Sequence, residues 1–87
     1  MKRRFTVVWD ASAERNLTQI WNENPAIRQE ISEAADKIDS TLAYEPASIG
    51  LPRGASRYVV QEPLAILFRI VEDDRQVRVL YVKHWLD

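Results

Sequence analysis

The sequence predicts an α+β fold in which two short helices lie across one face of a four-stranded antiparallel sheet. Three observations carry this. Apolar and polar residues alternate with period two on both sides of a short polar break between Leu64 and His84. Two stretches between Ala11 and Leu42 repeat their apolar residues at helical spacing. A further strand-like alternation opens the chain at Arg4 to Trp9.

In chain order, Phe5, Val7 and Trp9 alternate with Thr6 and Val8, which suits a half-buried first strand. Asp10 and Ser12 are good N-cap types, and Ala13, Leu17, Ile20 and Trp21 then share one helical face, so a first helix runs from about Ala11 to Asn22. Asn24-Pro25 opens a second helix, because proline at the first helical position loses no intrahelical hydrogen bond. Ile27, Ile31, Ala34, Ala35, Ile38 and Leu42 form its apolar stripe, and Glu30, Glu33, Asp36, Lys37 and Asp39 cover the other side. A connection of about three residues makes the pair an antiparallel hairpin. Pro46, Gly50, Pro52 and Gly54 break any periodicity from Ala43 to Ala55, which predicts a surface loop carrying Arg53. Arg57 to Gln61 reads as the second strand, and Glu62-Pro63 as a turn.

The remaining chain is a β-hairpin. Its arms are Leu64 to Val71 and Val77 to His84, around the polar run Glu72 to Gln76. A loop of two or four residues puts Ile66, Phe68, Ile70, Val77, Val79 and Tyr81 on a core face. It puts Leu67, Arg69, Arg78, Leu80 and His84 on the other. In the two-residue-loop register Arg69 and Arg78 lie directly opposite one another, a like-charge pairing that costs up to roughly 1 kcal/mol and that an anionic ligand would offset.

A chain of 87 residues makes one domain, residues 1–87, able to hide roughly 60–65% of its unfolded surface. With no cysteine and one histidine, no disulfide and no thiolate metal site can form, and neither a metal nor a cofactor is expected. No stretch approaches the roughly 18 apolar residues of a membrane span. The basic start Met1 to Arg4 leads into an apolar run that stops at Trp9, too short for a signal peptide, so a cytoplasmic location and no membrane partner are expected. The net charge of −1 hides a split of +1 over residues 1–24, −3 over 25–50 and +1 over 51–87. The acid is concentrated around the second helix, which leaves the rest free to present a basic surface to phosphate.

The order strand, helix, helix and three strands resembles the RelE/ParE superfamily of bacterial toxins. So do Ile31, Ala34, Ile38 and Leu42 in the second helix, the Pro46, Gly50 and Arg53 spacing in the loop, Phe68-Arg69-Ile70, and Val79-Leu80 leading to His84. The likeness covers essentially the whole chain. It implies strand order 1-4-3-2, a type II toxin–antitoxin pair, and a cognate antitoxin that neutralises the protein.

Two targets follow from the resemblance. The RelE-like branch cleaves messenger RNA on the ribosome without metal. In that branch the resemblance makes His84, Arg69 and Arg78 the catalytic candidates, and Arg53, Arg57, Tyr58, Lys83 and Trp85 the RNA-binding ones. Histidine takes and gives protons near neutral pH, arginines stabilise a charged phosphorane, and Tyr58 or Trp85 offers a ring to an unpaired base. His84-Trp85 resembles a terminal His-Tyr pair of these nucleases. Where RNA-cleaving members carry an arginine near the start of the third strand, this chain has Ala65 and Ile66. The ParE-like branch inhibits DNA gyrase, and the Pro-Gly-Arg loop, Arg69 and His84 fit it equally. A domain that only binds its antitoxin is the third reading, with at least one of Trp9, Trp21 and Trp85 as a partly exposed anchor, Trp9 and Trp21 falling on the predicted inner stripes.

Overall fold

The structure, a computed structural model, describes residues 4–85; Lys2 and Arg3 of the basic start lie outside them. The elements are β1 (Thr6–Trp9), α1 (Ala11–Glu23), α2 (Arg28–Leu42), β2 (Leu51–Arg53), β3 (Ser56–Gln61), β4 (Leu64–Val71) and β5 (Gln76–His84). The five strands form one sheet in the order β1-β5-β4-β3-β2. The expected order of the four strands holds, with two corrections. Leu51–Arg53 joins as an edge strand where a loop was expected, and β1 runs parallel to β5, Val7 beside Val77 and Trp9 beside Val79.

Local propensity could not show β2, because Pro52 sits in its middle. A proline lacks the N–H of a ladder, and an edge strand tolerates it on its unpaired side. Gly54 at φ +61° lets the chain turn between Arg53 and Ser56, which pair. Gly50, at φ +70°, lies so close to β3 that an added Cβ would meet the Tyr58 carbonyl carbon at 2.9 Å and its oxygen closer still.

Both helices pack on one face of the sheet. The core there joins Leu64, Ile66, Phe68, Val77, Val79 and Val82 to Ala13, Ile20, Ile31, Ala34, Ile38 and Leu42. Leu17, Trp21, Ile27 and Ala35, expected on the same stripes, are half-buried against it. Each fully buried aliphatic or aromatic side chain contributes about 1.5–3 kcal/mol. The second helix, expected from Pro25, begins three residues later at Arg28, and Pro25–Ile27 forms a separate 3-10 turn before it.

Helix α1 lies along β5 where β1 has ended. There the Ser12 hydroxyl donates to the Leu80 carbonyl at 3.1 Å, and the Asn16 side-chain oxygen accepts from the Val82 N–H at 3.4 Å. Two helix side chains thus serve backbone groups that a longer β1 would have paired. Strand β1 is tied to α2 through the Trp9 indole, which donates to the Asp39 carboxylate at 2.6 Å. Asp39, expected on the solvent side of its helix, is therefore a strand anchor. At the β4–β5 turn, Arg75 takes a left-handed conformation (φ 48°), its N–H donating to Glu72 and its guanidinium lying 4.4 Å from the centre of the Phe5 ring.

Candidate functional site

The sheet face away from the helices is open, and its composition follows from the register. Arg69 pairs with Arg78 and Ile70 with Val77, as the sequence predicts. Between Phe68 and Leu67 the register shifts. Phe68 pairs with Val79, but Leu67 pairs with Tyr81, so Leu80 is one residue too many on β5. Beyond the bulge every β5 side chain changes face. Tyr81, expected in the core, is 50% exposed, and Val82, at 2%, takes its place inside. His84 pairs with Leu64, a fully buried core residue, and is half-buried. The expected face shared by both arginines and the histidine is therefore corrected: His84 belongs to the helix side of the sheet, and Tyr81 and Lys83 stand with the arginines.

The pairings put Leu51, Tyr58, Leu67 and Tyr81 in one row across the outer face. The neighbouring row contains Arg53, Ser56, Arg69 and Arg78. Around Ala65, which is buried although it faces outward, a depression of about 270 Å³ is lined by Arg53, Tyr58, Ile66, Leu67, Tyr81 and Lys83. Ala65 makes that space by being small. None of the five strands contains an aspartate or glutamate. The carboxylates belong to the helices, the turns and the chain end.

The candidate cations differ in how free they are. Arg78 donates from Nε (3.1 Å) and from a terminal nitrogen (2.7 Å) to one oxygen of Asp10, the residue that precedes α1. Asp10 does not cap the helix with its side chain; its carboxylate neutralises Arg78 and so relieves the Arg69–Arg78 pairing. Arg69 is exposed and makes no hydrogen bond or ion pair with the described residues, and the same holds for Arg53 at the end of β2. Lys83 is exposed, 5.9 Å from the centre of the Trp85 ring.

Arg57 is placed differently. It pairs with Phe68, on the helix side, and donates to the carbonyls of Ile49 (2.9 Å) and Gly50 (3.0 Å). Its guanidinium clamps the loop before β2 and does not join the outer cluster. Trp85, just past β5, is half-buried, and its backbone N–H donates to the Pro63 carbonyl at 2.8 Å. Trp9 and Trp21 are half-buried against the core.

Sequence reasoning missed Tyr81 and the space over Ala65. The signal for the first was present: Val79-Leu80-Tyr81-Val82 is an unbroken apolar run, where a regular two-sided strand would alternate.

No protein-family model matches the chain, and no curated protein matches its sequence. Solved structures do match. The crystal structure of the toxin–antitoxin complex RelBE2 from Mycobacterium tuberculosis contains a chain with TM-score 0.80 and 21% identity, the match covering 98% of this chain and 95% of that one. The chromosomal ParDE toxin–antitoxin system of P. aeruginosa gives TM-score 0.66 and 17% identity, over 94% and 97%.

Proposed function

From a chain that has the RelE/ParE toxin fold over nearly its whole length, we propose the toxin of a type II toxin–antitoxin pair, acting on messenger RNA at the outer face of its sheet. The carrying observation is that this face gathers Arg53, Arg69, Arg78 and Lys83 around two tyrosines on strands that hold no carboxylate. Such a surface attracts a polyanion, and its rings suit unpaired bases. The proposed partners are a cognate antitoxin, as in the two solved complexes, and the ribosome with its message, in the cytoplasm.

The chemistry needs neither water nor metal. The ribose 2′-oxygen attacks the adjacent phosphorus, the bond to the 5′-oxygen breaks, and a 2′,3′-cyclic phosphate and a 5′-hydroxyl remain. One proton leaves the 2′-oxygen and one reaches the 5′-oxygen. Arg69, with no ionic partner among the described residues, is assigned to the charged phosphorane. Lys83 and the two phenols are the proton-bearing groups of the depression other than Arg53.

One observation favours a second reading, a gyrase inhibitor without nuclease activity. The outer strands offer no carboxylate, the Asp10 carboxylate that reaches this face is held by Arg78, and the register turns His84 away, so none of the usual general bases stands unengaged there among the described residues. Induction of the chain alone in a bacterial host tests both readings, with primer extension across an abundant message beside a plasmid supercoiling assay. Discrete cuts in translated message, lost with Arg69→Ala, are expected. Intact message with gyrase-linked DNA breaks would refute cleavage in favour of the second reading, and unimpaired growth would leave a domain that only binds its antitoxin.

A further inference from the structure

The depression over Ala65 is more specific than a basic surface requires. Its floor is a buried alanine, and Leu67 lies between Tyr58 and Tyr81 as the cross-strand neighbour of both. Neighbouring strands lie about 4.8 Å apart, so the two tyrosines are rooted about 9.6 Å from each other. A flat ring held between two others needs about twice the ~3.4 Å spacing of successive bases along a strand, which is less than the separation at which the two tyrosines are rooted, so the space between them admits one ring. The volume, about 270 Å³, falls at the small end of ligand pockets. It suits one ring system and not an extended ligand. Arg53 and Lys83 stand at the rim, where a strand's phosphates would flank an inserted base.

We propose that this depression takes a single unstacked nucleobase of single-stranded RNA, held between Tyr58 and Tyr81 over Leu67 and Ala65, with its flanking phosphates on Arg53 and Lys83. The inference rests on the RNA reading of the same face and adds to it a one-base subsite. Apart from the phenol hydroxyls and the rim cations, the lining is hydrocarbon, so discrimination comes from stacking area, and purines bind better than pyrimidines. The register bulge is what makes the subsite. Were Leu80 paired in an unbroken register, Tyr81 would turn into the core and His84 would take the outer position.

The test is fluorescence anisotropy of the full-length chain at low salt with an end-labelled 2′-O-methyl oligoribonucleotide, which binds without being cut, beside an all-abasic strand of the same length. The base-bearing strand is expected to bind about 5- to 150-fold more tightly, the range of stacking one base on an aromatic side chain. Tyr81→Ala, at a site 50% exposed, is expected to remove most of that difference. Ala65→Leu, which fills the depression, is expected to do the same while the abasic strand binds as before. Arg69→Ala is expected to weaken both strands equally. Equal binding of the two strands, or a Tyr81→Ala protein that still distinguishes them, would overturn the base subsite and leave the RNA reading standing. Binding of neither strand would overturn both.

Discussion

Replacing Gly50 with alanine is expected to destabilise the protein far more than the same change at Gly54, although both glycines have positive φ (+70° and +61°). The left-handed conformation costs a side chain roughly 1–2 kcal/mol at either site. Beyond that the sites differ. At Gly54 a Cβ meets nothing within 4 Å, so the conformational cost is the whole effect. At Gly50 the Cβ runs into the Tyr58 carbonyl, and the loop must lift from β3. That movement pulls the Ile49 and Gly50 carbonyls away from the Arg57 guanidinium. A hydrogen bond from a charged donor contributes about 1.5–3 kcal/mol when well buried. Arg57 is only half-buried, and about 1 kcal/mol for each is the appropriate figure. The sum for Gly50→Ala is about 3–4 kcal/mol, a large part of the roughly 4–13 kcal/mol expected of a domain this size. At about 4–8 °C per kcal/mol, the melting temperature should fall by at least 12 °C or so. Urea denaturation of the two variants side by side gives the comparison. Losses within about 0.5 kcal/mol of each other would refute the argument that close approach and the Arg57 clamp, rather than φ alone, require Gly50.

Four further outcomes are expected. A double-mutant cycle on Asp10→Ala and Arg78→Ala should give a coupling of about 0.5–1 kcal/mol, small because both side chains are solvated (25% and 45% exposed), and it should shrink in high salt; a coupling indifferent to salt would mean packing, not charge, joins them. Trp9→Phe keeps an aromatic ring but loses the pyrrole half of the indole and with it the bond to Asp39, at a cost of about 1 kcal/mol for the hydrogen bond on top of the lost packing; in a urea series with Asp39→Ala the double variant should lose no more than the larger single loss, and full additivity would show that the bond does not couple β1 to α2. His84→Ala should leave the single-turnover RNA-cleavage rate within about threefold, against the ~100- to 10,000-fold loss of a general acid or base. Arg69→Ala, by contrast, should reduce the salt slope of RNA binding by about 0.7. A collapse of cleavage with His84→Ala would restore histidine to the chemistry.

The contrast between Arg69 and His84 shows how far the site was legible. Arg69 and Arg78 lie within a few residues of the β4–β5 turn, where pairing follows from loop length and the alternating pattern. His84 lies beyond Leu80, and one unpaired residue there reverses every face that follows. The apolar run Val79 to Val82 signals an irregularity without locating it. Arg57 was misplaced for a related reason. The alternation of β3 is weak, all six of its residues being half-buried, so the pattern does not say which face its arginine takes.

The sequence by itself determined the two helices, the strands β1, β3, β4 and β5 and the turn between the last two, because these follow from periodicity, capping and proline placement within a few residues. It also determined that acid would concentrate around the second helix, leaving the rest of the chain slightly basic. Only the tertiary structure decided the rest. Strand β2 exists because β3 offers it a partner, since Leu51-Pro52-Arg53 has no strand propensity of its own. The parallel pairing of β1 with β5 joins residues some 70 positions apart. The depression over Ala65 needs Tyr58, Leu67 and Tyr81 brought together from three strands. Contacts between distant residues depend on the packing of the whole chain, and no window of sequence contains the partners that settle them.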